Sequence, residues 1–547
     1  MKRCLCAILT AIMLLFTLVA CNESTDVGGT PDAQISETLK DTGEHGTELL
    51  PDQPESGEET KQTQKRPDKY DEVWIDGTVN FTLLDFYGEN ITVLVREDIK
   101  ASREWGKEVI DDNDALDLAI KERNLKVEKD LNVKVNVRYV VSSNGWRDGT
   151  DWHDSFMPIV QRDINNDLNE IDITANYGFY GMSAAYRDCW ANLLDKDNFP
   201  FFRFDLPCWN QSIYENGTVN GRLYVCASDM NISMFDSAMI LWHNKSLYQR
   251  VRGDEDPRDI QDVAIEGKWV YSELYKWSQY YDHNDSDNGG NIYGISMNGT
   301  RPTEAFAALP YAWDIDLTKR NAKGSYSFNI IGNTEAEQGL TALRNMLAQD
   351  GVVDERIGVG NFTSGNSLFR SDVIYEDKVS NAAMRNMTDR YALLPWPKLN
   401  DTDYYYATTA QEYFTTMSVV THSADDKGIA ISAYLEHATE YSYTYVRSSY
   451  LRNIVLPELH NTEDPDGYVT KSIALFNVTV ENLEYDFATI YGPMLGDVMT
   501  NVWRNNVIDG NGNALNTTVK SAFEDNREDY EAALDSLDTW FGLAANN

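Results

Sequence analysis

Four consecutive segments decide the fold of this chain: ITVLV (residues 91–95), DALDLAIKERNLKVE (114–128), VKVNVRYVV (133–141) and IDITA (171–175). The first, third and fourth are rich in β-branched residues, which predicts strands. The second begins with acidic residues and repeats apolar residues at helical spacing, which predicts a helix, and residues 156–164 repeat the helical pattern. The order β-α-β-α-β indicates a parallel sheet with helices on its faces, and therefore an α/β fold.

The third predicted strand runs into a loop of glycines and aromatic rings, NYGFYG (176–181). In parallel sheets, ligands bind beyond the carboxyl ends of the strands. Tyr177 is therefore a candidate ligand-stacking residue, and a ring buried in the core is the alternative.

The α/β pattern continues to the C terminus, with no internal repeat. Strands are predicted at Arg222–Ala227, Ser237–Trp242, Ile292–Ser296, Tyr391–Leu394 and Phe414–Val420. Helices are predicted at Ser272–Tyr281, Glu335–Leu347, Lys427–Glu440, Ala488–Trp503 and Val519–Phe541.

The N terminus has the pattern of a secretory signal over residues 1–20. Lys2 and Arg3 precede an apolar run, Cys4–Phe16, that is too short to span a bilayer. The run leads to LVAC (18–21), which looks like the lipobox of bacterial lipoproteins and implies cleavage before Cys21 and lipidation of that residue. An ordinary signal peptide with a chance cysteine, or a short membrane anchor, is the alternative.

Residues 21–70 are predicted to be the lipidated cysteine and a disordered tether. Residues 22–69 contain no aromatic residue and are rich in Thr, Glu, Asp, Gly and Pro, so they cannot bury enough apolar surface to fold.

The composition of the whole chain limits its partners. Its net charge of −40 argues against binding to nucleic acid or directly to anionic lipid. Hydrophobic residues make up 42% and aromatic residues 12%, as in a globular protein. We expect a monomer without a cofactor. Cys189, Cys208 and Cys226 lack zinc-site spacing, so they are either small buried side chains or include one disulfide.

In this order, several segments resemble the type 1 extracellular solute-binding proteins, the sugar-type substrate-binding lipoproteins of ABC transporters in Gram-positive bacteria. They include ALDLAIKERNLKVEKDLNVKVNVRYV (115–140), IDITANYGFYGMSAAYRDCWANLLD (171–195), WNQSIYENGTVNGRLYV (209–225), ISMFDSAMILWHNKSLY (232–248), GKWVYSELYKWS (267–278), FTSGNSLF (362–369) and YALLPWPK (391–398). The resemblance implies the periplasmic-binding-protein type II (Venus flytrap) fold. That fold has two α/β lobes, each a mixed sheet flanked by helices, with the ligand between them.

Carried over by segment, the resemblance implies that residues 71–234 and 391–441 form lobe 1. Residues 235–389 and 442–547 would form lobe 2, with the first crossover at 229–236. Relatives often carry a Ca²⁺ loop, but the equivalent loop here, Asp282–Gly289, has Tyr293 where a Ca²⁺ loop needs Glu. We therefore expect a polar turn there and no metal site.

Other candidate ligand residues come from the predicted cleft. By resemblance, Trp209 and Asn210 lie in a segment that faces the cleft in some relatives. Asp236 lies at the crossover, where a buried carboxylate needs a partner; a hinge cap is the alternative role. An aromatic ring with a nearby carboxylate suits sugar binding. Two further pairs of neighbouring residues have this combination and are candidates: Trp313 with Asp314, and Glu412 with Tyr413.

The resemblance implies a receptor that captures a carbohydrate, closes around it and delivers it to ABC permease subunits. It would do so at the extracellular face of the membrane, held there through its lipid anchor alone, and would not be an enzyme. An oligopeptide is the alternative ligand. A secreted carbohydrate-active enzyme is a further alternative: it needs two carboxylates that face each other across a cleft, and a sequence this rich in carboxylates could supply them. An adhesin or a sensor lipoprotein on the same fold is another alternative.

Overall fold

A computed structural model describes residues 72–543, except 76, 97–102, 107–113, 141–151, 253–257, 286–289, 299–307, 323, 356–359, 376–382, 402–404, 411–413, 457–466 and 508–514. The described residues all belong to one compact unit. The predicted signal peptide, Cys21, the tether and the candidates Glu412 and Tyr413 lie outside the described residues.

The described strands are, in chain order, β1 (Trp74–Ile75), β2 (Thr78–Val79), β3 (Glu89–Arg96), β4 (Val133–Val140), β5 (Ile173–Tyr177), β6 (Met239–Asn244), β7 (Tyr281–Asp285), β8 (Gly290–Asn298), β9 (Thr318–Arg320), β10 (Tyr326–Phe328), β11 (Val352–Glu355), β12 (Ser367–Val373), β13 (Tyr391–Leu394) and β14 (Thr415–Val419).

The described α-helices are α1 (Ala115–Leu131), α2 (Trp152–Asn165), α3 (Gln211–Gly217), α4 (Ile232–Asp236), α5 (Lys245–Arg252), α6 (Ile260–Ile265), α7 (Tyr271–Ser278), α8 (Leu309–Ala312), α9 (Thr334–Leu347), α10 (Gly360–Thr363), α11 (Thr421–Tyr441), α12 (Arg447–Tyr450), α13 (Tyr468–Glu481), α14 (Phe487–Ile490), α15 (Val498–Val502), α16 (Val519–Glu524) and α17 (Arg527–Trp540). Two π-helical turns, Ser442–Val446 and Leu451–Val455, flank α12.

The first sheet has the strand order β14-β5-β3-β4. β3 runs parallel to β4 and to β5, as the sequence pattern predicts, and β14 runs antiparallel to β5. Helix α1, capped by the Asp114 side chain at its first amides, packs on α11 along this sheet. The sheet is therefore mixed and flanked by helices.

The second sheet has the order β11-β8-β12-β6-β13, with β7 paired to β8. β11, β8 and β12 run parallel, whereas β6 and β13 each run antiparallel to their neighbours. Helices α5 and α7 contact β12, and α13 contacts β13. The predicted α/β class with two mixed, helix-flanked sheets is confirmed.

Two chain segments cross between the sheets side by side. The first leads from Cys226 to α4 and β6, and the second leads back from Ala410 to β14. They pair antiparallel at both ends, since Cys226 bridges Met417 and Ala238 bridges Ala410. Both ends of this paired connection are buried, and we call the connection the hinge.

The structure corrects four predictions. Residues 222–227 form isolated bridges instead of a strand, because only Arg222, with Val219, and Cys226, with Met417 of β14, are paired there. The predicted helix Ala488–Trp503 is broken at Gly492-Pro493, since proline cannot continue a helix, and Val519–Phe541 is two helices. Strand Tyr391–Leu394, assigned to lobe 1 by resemblance, pairs with β6 in the second sheet.

Cys189, Cys208 and Cys226 are buried and form no disulfide within the described residues, which favours the interpretation as small apolar side chains. Among the described helices, none combines the length and the apolar character needed to cross a membrane.

The buried carboxylate of Glu436, in α11, holds the segment before α3 against this helix, which packs beside the first sheet. It accepts hydrogen bonds from the Arg203 backbone amide (3.1 Å), from Arg203 Nε (3.1 Å) and from Trp209 Nε1 (3.0 Å). Glu436 is 0% exposed, so each of these donors replaces water that the carboxylate has lost.

We expect Glu436→Ala to lower the free energy of unfolding by about 3 kcal/mol, because it leaves the buried Arg203 and Trp209 donors without their acceptor. Glu436→Gln keeps an acceptor oxygen and should lose less. Chemical denaturation of the two variants measures both values, and equal losses would show that the acceptor oxygen is unimportant.

Candidate functional site

A cavity of about 290 Å³ opens beyond the carboxyl end of β5. Its walls come from four parts of the chain: the loop Gly178–Tyr180 after β5, Pro310 and Tyr311 of α8, the second crossing segment, and residues 485–504 around α14 and α15. The cavity therefore lies where the hinge meets the first sheet, which is the position at which α/β folds bind ligands.

Six aromatic residues line the cavity. They are Phe179, Tyr180, Tyr311, Phe414, Tyr485 and Trp503. Phe179 packs edge-on against Phe414 (5.7 Å between centroids) and Tyr485 (5.3 Å), so these three rings hold one another in place. Tyr180 is half-buried, and part of its ring remains accessible.

Polar side chains complete the wall: Thr409, Thr489, Asp497, Thr500, Asn501 and Arg504. Tyr311 positions one of them, since its hydroxyl shares a 2.7 Å hydrogen bond with Thr489 Oγ1 and accepts the Asp486 amide at 3.2 Å. Burial raises the pKa of Tyr311, which keeps its hydroxyl protonated. A mainly aromatic wall with a few placed polar groups is typical of small-molecule sites.

Asp486 stabilises the start of α14, which forms part of the cavity wall. Its carboxylate accepts hydrogen bonds from Thr318 Oγ1 (2.8 Å) and from the Ala488 amide (2.6 Å), which caps α14. Burial raises the pKa of Asp486 to about 6, although these donors oppose the rise.

The break after α14 is what shapes the wall. Gly492-Pro493 ends the helix, and both Gly496 (φ 65°) and Asp497 (φ 52°) adopt left-handed backbone conformations before α15 begins. The chain therefore turns, and α15 approaches the cavity with Thr500 and Asn501.

Tyr177 lies beside the cavity and not in its wall. Its ring is 7% exposed, contacts the Tyr180 ring at 5.4 Å, and lies 4.5 Å from the Arg96 guanidinium. The glycine-aromatic loop does line the cavity, through the next three residues. Tyr177 as a ligand-stacking residue stays a prediction.

Trp209 and Asn210 have structural roles. Trp209 packs in the core of the first sheet against Phe202 and Phe204, with its indole nitrogen bound to Glu436. Asn210 caps α3 and donates to the Leu483 carbonyl at 3.0 Å. Neither residue lines the cavity, and ligand binding by Trp209 and Asn210 stays a prediction.

Asp236 lies at the hinge, as predicted. Its carboxylate accepts a 2.9 Å hydrogen bond from the Tyr450 hydroxyl of α12, and it is 1% exposed. This geometry matches the alternative role of a hinge cap. Ligand binding by Asp236 is not tested by these contacts.

Trp313 packs in the core of the second sheet. Its ring meets Tyr271 edge-on at 5.5 Å, and a side-chain carbon on Gly339 would lie 2.9 Å from it. Asp314 is exposed and follows α8 with φ 54°. The cavity is lined instead by Tyr311, two residues earlier.

Sequence reasoning missed Tyr311, Tyr485 and Trp503. The available signal was the run Tyr491-Gly492-Pro493, since glycine and proline together mark a turn in an apparently helical segment.

No metal site emerges from the part of the chain that the structure describes, since no three His, Cys, Asp or Glu side chains are grouped to hold an ion. Asp282–Asp285 belong to β7. Residues 286–289, which contain the rest of the predicted polar turn, lie outside the described residues.

Solved structures similar to this chain include three binding proteins. An ABC substrate-binding protein from Listeria monocytogenes in complex with cycloalternan has 14% identity and a TM-score of 0.45, over 83% of this chain and 100% of that one. The sugar-binding protein MalE from Xanthomonas citri has 13% identity and a TM-score of 0.49, over 83% and 99%. The galacto-N-biose/lacto-N-biose I-binding protein from Bifidobacterium longum has 11% identity and a TM-score of 0.48, over 84% and 99%.

No family model matches the chain, and the search of curated proteins found no match.

A buried carboxylate also joins the two crossing segments. Glu104 Oε1 accepts the Ser233 amide of α4 at 2.7 Å and the Ser233 hydroxyl, which in turn accepts the Thr415 amide of β14 at 2.9 Å. Among the described residues, Glu104 Oε2 is buried without a hydrogen-bond partner. Burial raises the pKa of Glu104 from 4.5 to about 7, against the effect of Ser233.

We expect the Glu104 carboxyl to make stability depend on pH. The stability that its protonated form provides is fully present below about pH 4.5 and is lost as pH rises through 7, by up to roughly 3 kcal/mol. Glu104→Gln, which cannot titrate, should flatten this part of the profile of denaturation midpoint against pH.

Glu528→Gln, at an exposed position of α17, is the control and should leave the profile unchanged. Parallel profiles for the wild-type protein and Glu104→Gln between pH 5 and 8 would contradict the expectation.

Proposed function

We propose that this protein is an extracellular receptor that binds a carbohydrate and delivers it to an ABC importer. The observation that carries the proposal is the cavity at the hinge, with its aromatic wall and its few polar side chains. The ordered resemblance to sugar-type solute-binding proteins supports the same assignment.

Sugar chemistry matches this wall. The apolar face of a sugar ring stacks on aromatic side chains, and its hydroxyls exchange hydrogen bonds with carboxylates, amides and guanidinium groups. Tyr180 offers a half-buried ring, while Asp497, Asn501 and Arg504 offer both acceptors and donors. A micromolar affinity needs about −8 kcal/mol, which two or three stacked rings and several charge-assisted hydrogen bonds can supply.

The position of the cavity suits closure by a hinge. Thr409, Ala410 and Phe414 of the second crossing segment form part of its wall. A change in the angle between the sheets would therefore change the cavity, and a ligand that fits one angle better would shift the population towards it. ABC permease subunits would read the ligand-bound form.

The proposed place of action is the outer face of the cell membrane. The lipobox-like tetrad LVAC (18–21) and the polar segment that follows support an anchor at Cys21 with a tether to the folded unit. The membrane contact would be through lipid alone, and the receptor would act as a monomer and not as an enzyme.

We expect a neutral sugar to raise the melting temperature of the folded unit, Arg66–Asn547, because a ligand that binds only the native state stabilises it. Tyr180→Ala should weaken binding about tenfold, a loss of roughly 1.4 kcal/mol. A thermal-shift screen with sugars and peptides, followed by calorimetric titration, measures both effects.

Tyr445→Ala is the matched control, since Tyr445 is an exposed tyrosine on the π-helical turn away from the cavity. It should leave affinity unchanged. A shift with peptides alone would replace the carbohydrate by an oligopeptide, and release of a cleaved sugar would indicate an enzyme.

We expect the full-length chain, produced in a Gram-positive host, to incorporate labelled fatty acid and to partition into detergent. Cys21→Ala should abolish both, because Cys21 carries the acyl chain, and Cys6→Ala should not. Labelling that persists in Cys21→Ala would place the anchor elsewhere.

A further inference from the structure

The Glu104 carboxyl lies where the two crossing segments meet. Its Oε1 accepts the Ser233 amide of α4, in the first crossing segment, at 2.7 Å and also accepts the Ser233 hydroxyl. The Ser233 hydroxyl oxygen in turn accepts the Thr415 amide at 2.9 Å, where the second crossing segment enters β14. All three residues are at most 1% exposed. One buried carboxyl therefore holds both crossing segments together through a single serine.

This contact is continuous with the wall of the cavity. Thr415 follows Phe414, which lines the cavity. Thr416, the next residue of β14, donates its hydroxyl to the Gly178 carbonyl at 2.5 Å, and Gly178 also lines the cavity. The bond between Ser233 and Thr415 thus determines where this part of the wall stands relative to the first crossing segment.

The second oxygen of the carboxyl decides which of its charge states fits this arrangement. Among the described residues, Glu104 Oε2 is buried without a hydrogen-bond partner. A buried carboxylate ion with one oxygen unsatisfied is costly, whereas the neutral acid is much less so. Burial accordingly raises the pKa of Glu104 to about 7. The arrangement therefore suits the neutral acid, which predominates below pH 7.

The charged groups around the carboxyl reduce this cost without removing it. Arg96, at the end of β3, and Arg123 of α1 attract its negative charge. Arg123, however, donates to the backbone carbonyl of Glu104 and not to its carboxyl. Other titratable side chains nearby interact with one another: Arg103 with Asp114 and Asp117, Asp236 with Tyr450, and Tyr434 with Arg123.

We propose that Glu104 is a positioning residue for the sugar site, and that the charge of its carboxyl controls how firmly the two crossing segments hold the cavity wall. The neutral acid keeps Ser233 and Thr415 together. The ion favours arrangements of the hinge in which Oε2 reaches water, and these separate the two residues and displace Phe414. The proposal rests on the proposed function for the ligand, and it adds control of the site by the pH of the medium.

The size of the effect follows from the pKa of Glu104 in each arrangement. In an arrangement that exposes the carboxyl to water, the pKa returns to its ordinary value of 4.5. The stabilisation of the closed arrangement by the neutral acid is then complete below pH 4.5 and is lost as pH rises through 7. Between pH 6 and pH 8, the ratio of open to closed molecules should increase roughly tenfold.

Hydrogen–deuterium exchange of the protein without ligand tests this directly, because the Ser233 and Thr415 amides each donate one bond of the network. Exchange at single amides is measured at pH 6 and pH 8 and corrected for the intrinsic rate. Relative to Glu104→Gln, which keeps an acceptor oxygen and does not titrate, wild-type protection of both amides should fall roughly tenfold from pH 6 to pH 8. The same ratio of wild-type to variant protection at both pH values would overturn the proposal.

Asp486→Asn is the matched control. Asp486 is a second buried carboxyl near the cavity, and burial raises its pKa to about 6, but it accepts hydrogen bonds from Thr318 and Ala488 and not from the crossing segments. This variant should keep the full wild-type pH dependence at the Ser233 and Thr415 amides. Loss of the dependence in Asp486→Asn and its survival in Glu104→Gln would assign the effect to Asp486 and overturn the role of Glu104.

Ser233→Ala separates the two bonds of the network. It removes the hydroxyl that accepts the Thr415 amide and leaves the amide at position 233 free to donate to Glu104. The Thr415 amide should then lose protection at both pH values, while the amide at position 233 keeps its pH dependence. Thr415 protection that still falls with pH as in the wild-type protein would show that the serine does not connect the two segments.

Sugar dissociation connects the contact to the site. Gluco-, galacto-, manno- and xylo-oligosaccharides are screened on an array, and dissociation of those that bind is followed by surface plasmon resonance at pH 6 and pH 8. Because a bound sugar leaves when the wall moves, dissociation from the wild-type protein should be about tenfold faster at pH 8, and this difference should be lost in Glu104→Gln.

The outcomes separate the two proposals. Exchange that depends on pH while sugar dissociation does not would overturn the positioning role and leave the proposed function standing. No binding to any glycan would overturn the proposed function, and the exchange of the Ser233 and Thr415 amides would still decide whether the charge of Glu104 controls the hinge.

Discussion

The antiparallel pairing of two crossing segments is the constraint on which the rest of the structure depends. A chain that passes between two sheets must satisfy its buried backbone groups, and here each segment does so with the other, at Cys226 with Met417 and at Ala238 with Ala410. The Met239 amide also donates to the Thr409 carbonyl at 3.1 Å. Because the pairing fixes both ends, the two sheets share one defined hinge.

The hinge also determines where a ligand can be held. The second crossing segment ends at Phe414, just before β14, and Phe414 packs against Phe179 from the loop after the neighbouring strand β5. Antiparallel pairing of β14 with β5 brings these two rings together, since the start of one strand lies beside the end of the other. The contact between Phe179 and Phe414 is thus a consequence of sheet topology, whereas Tyr311, Tyr485 and Trp503 reach the wall from other parts of the chain.

Local patterns in the sequence predict strands β3, β4 and β5 of the first sheet well, because each of these strands carries several β-branched residues close together in sequence. They do not reveal β12, whose Arg370, Ser371 and Asp372 look unlike a strand although all are buried between β6 and β8. The loop after β5 could be predicted as part of the site. From the sequence alone, Trp209 could not be excluded as a ligand-binding residue, because core packing and sugar stacking both favour an aromatic ring. Its hydrogen-bond partner Glu436 lies 227 residues further along the chain.

The long helix that follows β14 shows how the hinge is stabilised from outside. Two π-helical turns flank α12, and such insertions shift the side chains that a helix presents to its neighbours. Between them, Tyr450 donates to Asp236 of the first crossing segment, and Arg447 pairs with Asp229 (3.6 Å) and Glu481 of α13 (2.9 Å). An unbroken α-helix would present a different set of side chains there. The long helix therefore contacts the first sheet through α11 and the first crossing segment through α12, and Arg447 links it to α13 beside the second sheet, so any change of hinge angle must be accommodated at these three polar contacts.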